Sequence, residues 1–354
     1  MMTGILEEDI QDLASRKNCF EPFENSSVLI TGATGLLGSI LAKSLITYSR
    51  KNGAGITVYA CCRDREKYER VFGGYQCELL KPVFGDVGHL DISQLRTDWI
   101  VHGASVTDSR TFIEKPVETI ETAVGGTQNL LRQCIGKKLK GFVCLSSLEV
   151  YGTFSGFDGV KNVTEADGGY IDTMSVRSSY SEGKRMAETL CASYAAEYSI
   201  PVKVARLCQT FGAGVEYGDR RVFAQFARSV IEGKDIVLRT KGGTVRSYCY
   251  TSDAVRGILT VLSKGSMGEA YNIANPDATA SIADMAHRVC ALFPESGINV
   301  VFDIAEDAGR LGYNPEVRMR LDPGKLESLG WKAEVPLDEM FRRLVEGMRE
   351  MQKK

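Results

Sequence analysis

Apolar residues along this chain come in short unbroken runs, separated by longer stretches where polar and apolar positions mix at helical spacing. Val28-Leu29-Ile30, Ile56-Thr57-Val58-Tyr59-Ala60-Cys61, Pro82-Val83-Phe84, Trp99-Ile100-Val101-His102, Gly141-Phe142-Val143-Cys144-Leu145 and Val202-Lys203-Val204-Ala205-Arg206 read as strands. Runs that are apolar at successive positions bury both faces of their sheet, which is the mark of parallel strands covered on each side. Between them lie helical stretches at Ser39–Ile46, Asp64–Arg70, Pro116–Cys134 and Ser178–Tyr198. In the third of these Val117, Ile120, Val124, Leu130 and Leu131 form the expected apolar face. Strand and helix in alternation predict an α/β fold around a doubly wound parallel sheet. Beyond about residue 207 the pattern loosens, with many glycines and short elements, and predicts a smaller α/β lobe closing over the carboxyl ends of the strands.

The first strand runs into Thr31-Gly32-Ala33-Thr34-Gly35-Leu36-Leu37-Gly38, and a helix follows at once. A strand that turns sharply into a helix N-terminus offers backbone N–H groups and a positive dipole end to an anion. Glycine serves the turn, the close approach of a pyrophosphate, and the packing of helix on strand. The spacing is Gly-x-x-Gly-x-x-Gly, a loose fit to the generic dinucleotide fingerprint. Gly32, Thr34, Gly35, Leu36, Leu37 and Gly38 are therefore the candidate cofactor cradle. Further cofactor contacts are expected at other strand ends. Asp86 and Val87 follow the third strand, with Asp86 able to accept from an adenine amine. His102, Ala104 and Ser105 follow the fourth, where small residues let backbone approach the cofactor. The second strand ends in Cys62-Arg63-Asp64. A ribose diol calls for a carboxylate near the position of Cys62, whereas a guanidinium at Arg63 suits a 2′-phosphate. The cofactor reading is NAD or NADP, tilted toward NADP. The expected division is a helical extension at 1–25, a dinucleotide-binding domain at 26–206 and mainly a substrate-binding lobe at 207–354.

Composition narrows the partners. The chain is 44% apolar and 25% charged, with a formal net charge of -2, so charge offers no case for nucleic acid or an anionic membrane. No apolar run approaches the length of a membrane span. Glu7, Glu8, Asp9 and Asp12 near the start are wrong for a signal peptide and suit a short amphipathic helix. Ten cysteines without CxxC pairs and three scattered histidines argue for reduced thiols in a cytosolic protein and against a metal site.

A second cluster sits at Ser146-Ser147-Leu148-Glu149-Val150-Tyr151-Gly152, with Tyr180 and Lys184 on the helix that follows. Tyr180 and Lys184 are i,i+4 and share a helix face. An ammonium within a few ångströms lowers a tyrosine by about 1–3 pKa units, toward service as a general base. Ser147 is placed to orient the substrate hydroxyl, and Lys184 to bind the nicotinamide ribose as well.

Together these residues resemble the extended short-chain dehydrogenase/reductase family of nucleotide-sugar epimerases, dehydratases and decarboxylases, over about Ser26 to Met348. Arg177-Ser178-Ser179-Tyr180-Ser181-Glu182-Gly183-Lys184-Arg185-Met186-Ala187-Glu188-Thr189 and Arg246-Ser247-Tyr248-Cys249-Tyr250-Thr251-Ser252-Asp253 are most similar to UDP-glucuronate decarboxylases. The resemblance implies a Rossmann-type sheet, a catalytic set of Ser147, Tyr180 and Lys184, and nucleotide-diphosphate binding by Arg246 with a second lobe arginine at Arg221. It also implies a catalytic role for Glu149, and a homodimer through a four-helix interface made from Pro116–Cys134 and Ser178–Tyr198. Leu148 replaces the acid that sugar 4,6-dehydratases usually carry. Gln209 replaces a substrate-touching asparagine, and Ala213-Gly214-Val215 replaces Pro-Arg-Met, both read here as changes on the sugar-facing edge.

The expected function is an NAD(P)-dependent enzyme that modifies a nucleotide sugar through transient oxidation of a sugar carbon. One alternative is an NADPH-dependent reductase of a nucleotide-activated keto-sugar, drawn from Arg63, Leu148 and Gln209. Another is a non-catalytic dinucleotide-sensing regulator, against which the Tyr180–Lys184 pair weighs.

Overall fold

The computed structural model describes residues 4–154, 159–304 and 316–353. Seven parallel strands form the main sheet: β1 (Ser27–Thr31), β2 (Thr57–Cys62), β3 (Leu80–Phe84), β4 (Trp99–His102), β5 (Gly141–Ser147), β6 (Val202–Leu207) and β7 (Ala270–Ile273). Their order is β3-β2-β1-β4-β5-β6-β7. It reverses between β1 and β4, and the crevice at such a switch point is where doubly wound sheets take ligands. Register brings the strand ends level. Thr31 lies beside Cys61 and His102, and His102 beside Cys144. The loops that follow these residues therefore open on one edge.

β1 is buried at every position, as its unbroken apolar run requires. The helix Leu36–Asn52 leaves that strand through the glycine turn and stops at Gly53, whose φ of 63° is the left-handed cap that favours glycine. The long helix Ser178–Tyr198 follows β5 and carries Tyr180 and Lys184 on its buried side. Among the described residues no helix is long and apolar enough to cross a membrane.

The segment 116–134 departs from the expected single helix. It is helical at Pro116–Ile120, widens into a π-turn at Glu121–Gly125, and resumes at Gly126–Cys134. A π-turn inserts a residue and rotates the phase of the face. Leu130 and Leu131 are thus buried, while Val117 and Ile120 turn outward. Gly126 sits at the crossing, where a Cβ would stand 2.6 Å from a methyl of Val87.

The lobe has its own core. A sheet of Gln209–Phe211, Val245–Tyr250 and Asn275–Ser281 packs against the helices Val222–Glu232, Ile282–Leu292 and Leu337–Gln352. Phe211, Phe223, Tyr248 and Phe341 fill the space between them. Residues 251–273 do not stay with this lobe, although they fall within 207–354. They give the helix Thr251–Lys264, which packs against β5 and β6, and strand β7 of the main sheet.

The N-terminal helix, Ile5–Ser15, buries Ile10, Leu13 and Ala14, as an amphipathic helix should, and also Asp9. Asp9 accepts a hydrogen bond from the Tyr250 hydroxyl and, at 2.8 Å, one from Arg343 in the last helix. Burial pushes its carboxyl up to about 6 despite both partners. An acid raised in the folded state favours folding most below its unfolded value of 3.8, and that contribution is lost as pH rises through 6. The wild type is therefore expected to lose stability relative to Asp9→Asn between about pH 4 and 7 in denaturant titrations. A difference that does not change with pH would show that Asp9 titrates as it does unfolded.

Candidate active site

The turn after β1 has the geometry of an anion cradle. Gly32 adopts a φ of +68°, and a Cβ there would meet backbone atoms of Gly103 and Ala104 at 2.9 Å. A Cβ on Gly38 would stand 2.4 Å from the Gly32 carbonyl oxygen. Gly35 is the N-cap of the helix and supplies no side-chain hydrogen bond. The first-turn N–H groups, those of Leu36 and Leu37 among them, keep the donor capacity that a pyrophosphate uses. Thr34 lies within the turn. These residues fit a dinucleotide.

The other expected cofactor residues surround the same edge in different ways. Asp86 accepts from the Gly88 N–H at 2.9 Å and lies 3.5 Å from the Arg63 guanidinium, which also lies 3.8 Å from Glu118. Asp64 caps the next helix by accepting from the Lys67 N–H, so that carboxylate has a local structural use. Val87 is buried against Gly126. The Ala104 N–H donates to Thr31 Oγ1 at 3.1 Å, and Ser105 donates to the Val106 carbonyl. The His102 ring does not extend to the cofactor edge. It is locked between Thr31 Oγ1 at 2.8 Å and Thr127 Oγ1 at 3.0 Å, and burial, helped by the charge of Lys184, holds it down to about 3. It is a neutral strut that ties β1, β4 and the helix Gly126–Cys134 together.

Ser147 ends β5, and its Oγ accepts the Glu149 N–H at 3.2 Å. Tyr180 lies near enough to the Ser147 hydroxyl for it to lower the phenol, and stacks on Phe112 at 4.2 Å with rings 8° from parallel. The expected downward pull of Lys184 on Tyr180 is not what the structure gives. Burial pushes the phenol up to about 12; the Ser147 hydroxyl and the charge of Arg221 lower it, and Glu149 raises it. Lys184 Nζ lies 5.9 Å from the Tyr180 ring centre and donates to the Leu145 carbonyl at 2.7 Å. Its own ammonium is disfavoured by the same burial.

Glu149 stands at the centre of a charged group. One carboxylate oxygen lies 3.7 Å from Arg177 and 4.0 Å from Arg246, and the other accepts from Ser181 Oγ at 3.3 Å. Among the described residues neither guanidinium donates a hydrogen bond, and both Nε atoms are buried without a partner. Arg221 differs, because Asp219 holds it through both carboxylate oxygens. Gln209 pairs in register with Tyr248, beside the strand that carries Arg246.

Two members of this group carried no role in the sequence reading. Arg177 could have been found from its place one helical turn before Tyr180. Phe112 had no signal of its own, since only the Asp108 cap marks the short helix Ser109–Glu114. The loop Ala213-Gly214-Val215 is also corrected. Ala213 and Val215 are buried, and a Cβ on Gly214 would lie 3.1 Å from Leu36 and 3.4 Å from Leu6. The small residues there seat the N-terminal helix and do not form a sugar-facing edge.

Residues 28–274 match the model of the NAD dependent epimerase/dehydratase family. The chain belongs to that family. It is 29% identical over 332 residues to UDP-glucuronic acid decarboxylase 6 of Arabidopsis thaliana, covering 92% of this chain and 89% of that protein. It is 30% identical over 281 residues to a UDP-N-acetyl-alpha-D-glucosaminuronate decarboxylase of Bacillus cytotoxicus, covering 78% and 83%. The fold is similar to that of UDP-glucuronic acid 4-epimerase from Bacillus cereus, solved with UDP-glucuronic acid and NAD. The TM-score is 0.76 at 23% identity, over 92% of this chain and 99% of that one. Family membership makes the chain an enzyme that works with a nicotinamide dinucleotide and agrees with the dinucleotide cradle.

Proposed function

We propose that this enzyme oxidises a carbon of a nucleotide-linked sugar transiently and returns the hydride before release. The observation that carries the reading is Tyr180, buried beside Ser147 and one turn before the buried Lys184, at the strand edge that also holds the glycine turn. Ser147 orients the sugar hydroxyl and Tyr180 takes its proton. Lys184, anchored on the Leu145 carbonyl, keeps further donors for the nicotinamide ribose. Arg246 and Arg221 hold the nucleotide diphosphate, and Gln209 lines the same site. Glu149 is placed to move a proton at the carbon beside the transient ketone. When bound, the oxidised nicotinamide supplies the hydride acceptor and a positive charge that favours the tyrosinate.

NADP is the cofactor we favour over NAD. Cys62 stands where a diol-binding carboxylate is needed, and Arg63 is 63% exposed at the same strand end. The outward apolar residues Ile113, Val117, Ile120 and Met186 support a dimer through the two long helical segments.

Mass spectrometry of UDP-, CDP-, GDP- and dTDP-sugars is expected to find a product with no net change in reduced nicotinamide. In Tyr180→Phe turnover should fall about 10²–10⁴-fold with cofactor still bound. Stoichiometric consumption of NADPH would replace this reading with that of a reductase. Arg63→Ala should cost NADP about 1.5–3 kcal/mol more than it costs NAD in calorimetry; equal losses return the choice to NAD. Light scattering should give twice the 38.8 kDa of one chain, and a single-chain mass at every concentration removes the dimer.

A further inference from the structure

We infer that Phe112 is a positioning residue for the proton transfer at Tyr180: its ring fixes the plane of the phenol and holds that phenol protonated until a positive charge arrives beside it. The inference rests on the reading of Tyr180 as the proton acceptor and adds a residue that acts only through it.

The two ring centres lie 4.2 Å apart, with the rings 8° from parallel. No other ring pair among the described residues is as close or as parallel; the next, Phe211 and Phe223, stands at 4.6 Å and 17°. The helix that supplies Phe112, Ser109–Glu114, is six residues long, and only Phe112 is buried in it. Asp108 caps this helix, accepting from the Thr111 N–H at 3.3 Å and from Thr111 Oγ1 at 2.9 Å. The Phe112 carbonyl accepts from Ser179 Oγ at 3.1 Å. Backbone and ring of Phe112 are thus fixed to successive residues, Ser179 and Tyr180, of the helix Ser178–Tyr198. The short helix is held against the residue it covers.

A ring on that face acts in two ways. The O–H bond of a phenol lies in the ring plane, and the outer torsion of a tyrosine is broad. A parallel neighbour narrows that torsion and so decides where the proton and the lone pairs point. An aromatic face also carries the negative side of the ring quadrupole. Against it an electron-rich phenolate is disfavoured relative to the phenol, and water has no room on that face to solvate the anion. Burial, which pushes Tyr180 up to about 12, acts in the same direction.

The charged groups around the phenol pull both ways. Glu149, on the turn after β5, raises it, and Arg221 of the lobe lowers it. Lys184 Nζ, on the same helix, is 5.9 Å from the ring centre and donates to the Leu145 carbonyl. Arg177 stands 5.8 Å from the centre of the Phe112 ring. The helix Ser109–Glu114 adds no charge there, because Arg110 and Glu114 pair with each other at the surface. What Phe112 contributes is orientation and dryness.

Wild type and Phe112→Leu, each saturated with oxidised nicotinamide cofactor, are titrated from about pH 7 to 11 while tyrosinate absorbance is recorded. Subtracting the same titration in the matching Tyr180→Phe background isolates Tyr180. In Phe112→Leu it is expected to ionise about 1 pH unit lower than in wild type. On the nucleotide sugar that the mass-spectrometric screen identifies, kcat at the pH optimum should fall about tenfold with KM nearly unchanged. Phe112→Tyr, which keeps the ring, should restore wild-type turnover. A merely structural phenylalanine would alter stability and leave the ionisation of Tyr180 where it is. A Phe112→Leu titration that coincides with wild type, or a loss that falls on KM with kcat intact, overturns the inference. Should Phe112→Leu fail to fold, Phe112→Met takes its place in the same titration. Full turnover in Tyr180→Phe would remove the reading of Tyr180 as proton acceptor, whereas an inactive Tyr180→Phe beside a Phe112→Leu that behaves as wild type removes this inference alone.

Discussion

The close approach of backbone to backbone at the first turn is the constraint on which the rest of the site depends. Gly38 must come within reach of the Gly32 carbonyl, and Gly32 must lie against Gly103 and Ala104, with no space for a Cβ at either glycine. That contact sets the helix Leu36–Asn52 directly behind β1 and leaves its first turn without a side-chain cap. It also ties the end of β1 to the end of β4, where the Thr31–His102–Thr127 chain of hydrogen bonds closes the gap. A methyl group on Gly38 would push the helix off the turn, and one on Gly32 would push the turn off the loop that follows β4.

Around this frame the site keeps its polar groups dry. Tyr180, Lys184 and His102 are all buried, and each is pushed toward its neutral form by the loss of water. Such a site is costly to keep charged. Among the described residues, the buried Nε atoms of Arg177 and Arg246 have no hydrogen-bond partner.

Much of this was legible in the sequence, because the strands that matter are unbroken apolar runs and the turns between them need glycine. The glycine turn and the ends of β2 to β4 followed from local pattern. What escaped depended on distant partners. β7 is short and contains Asn272, a fully buried polar residue satisfied by Tyr151, Val163 and Asp322. The π-turn at Glu121–Gly125 changes the phase of a face that spacing alone describes as continuous. The upward shift of Tyr180 comes from burial, and no spacing rule connects to it the Phe112 ring that stacks on it. Ala213-Gly214-Val215 carries its meaning in Leu6, more than two hundred positions away.

The N-terminal helix has a consequence for the order in which the chain can be completed. Asp9 is buried against Tyr250 and Arg343, partners 241 and 334 positions later, and the Ile5 N–H donates to Glu350. Until the last helix has been made, the first has a carboxylate to bury and no cation to meet it. Contacts of such long sequence separation form late, because the loop they close is nearly the whole chain. That helix is thus among the last elements to reach its final place, because it packs on helices from both the main sheet and the lobe and needs both to exist.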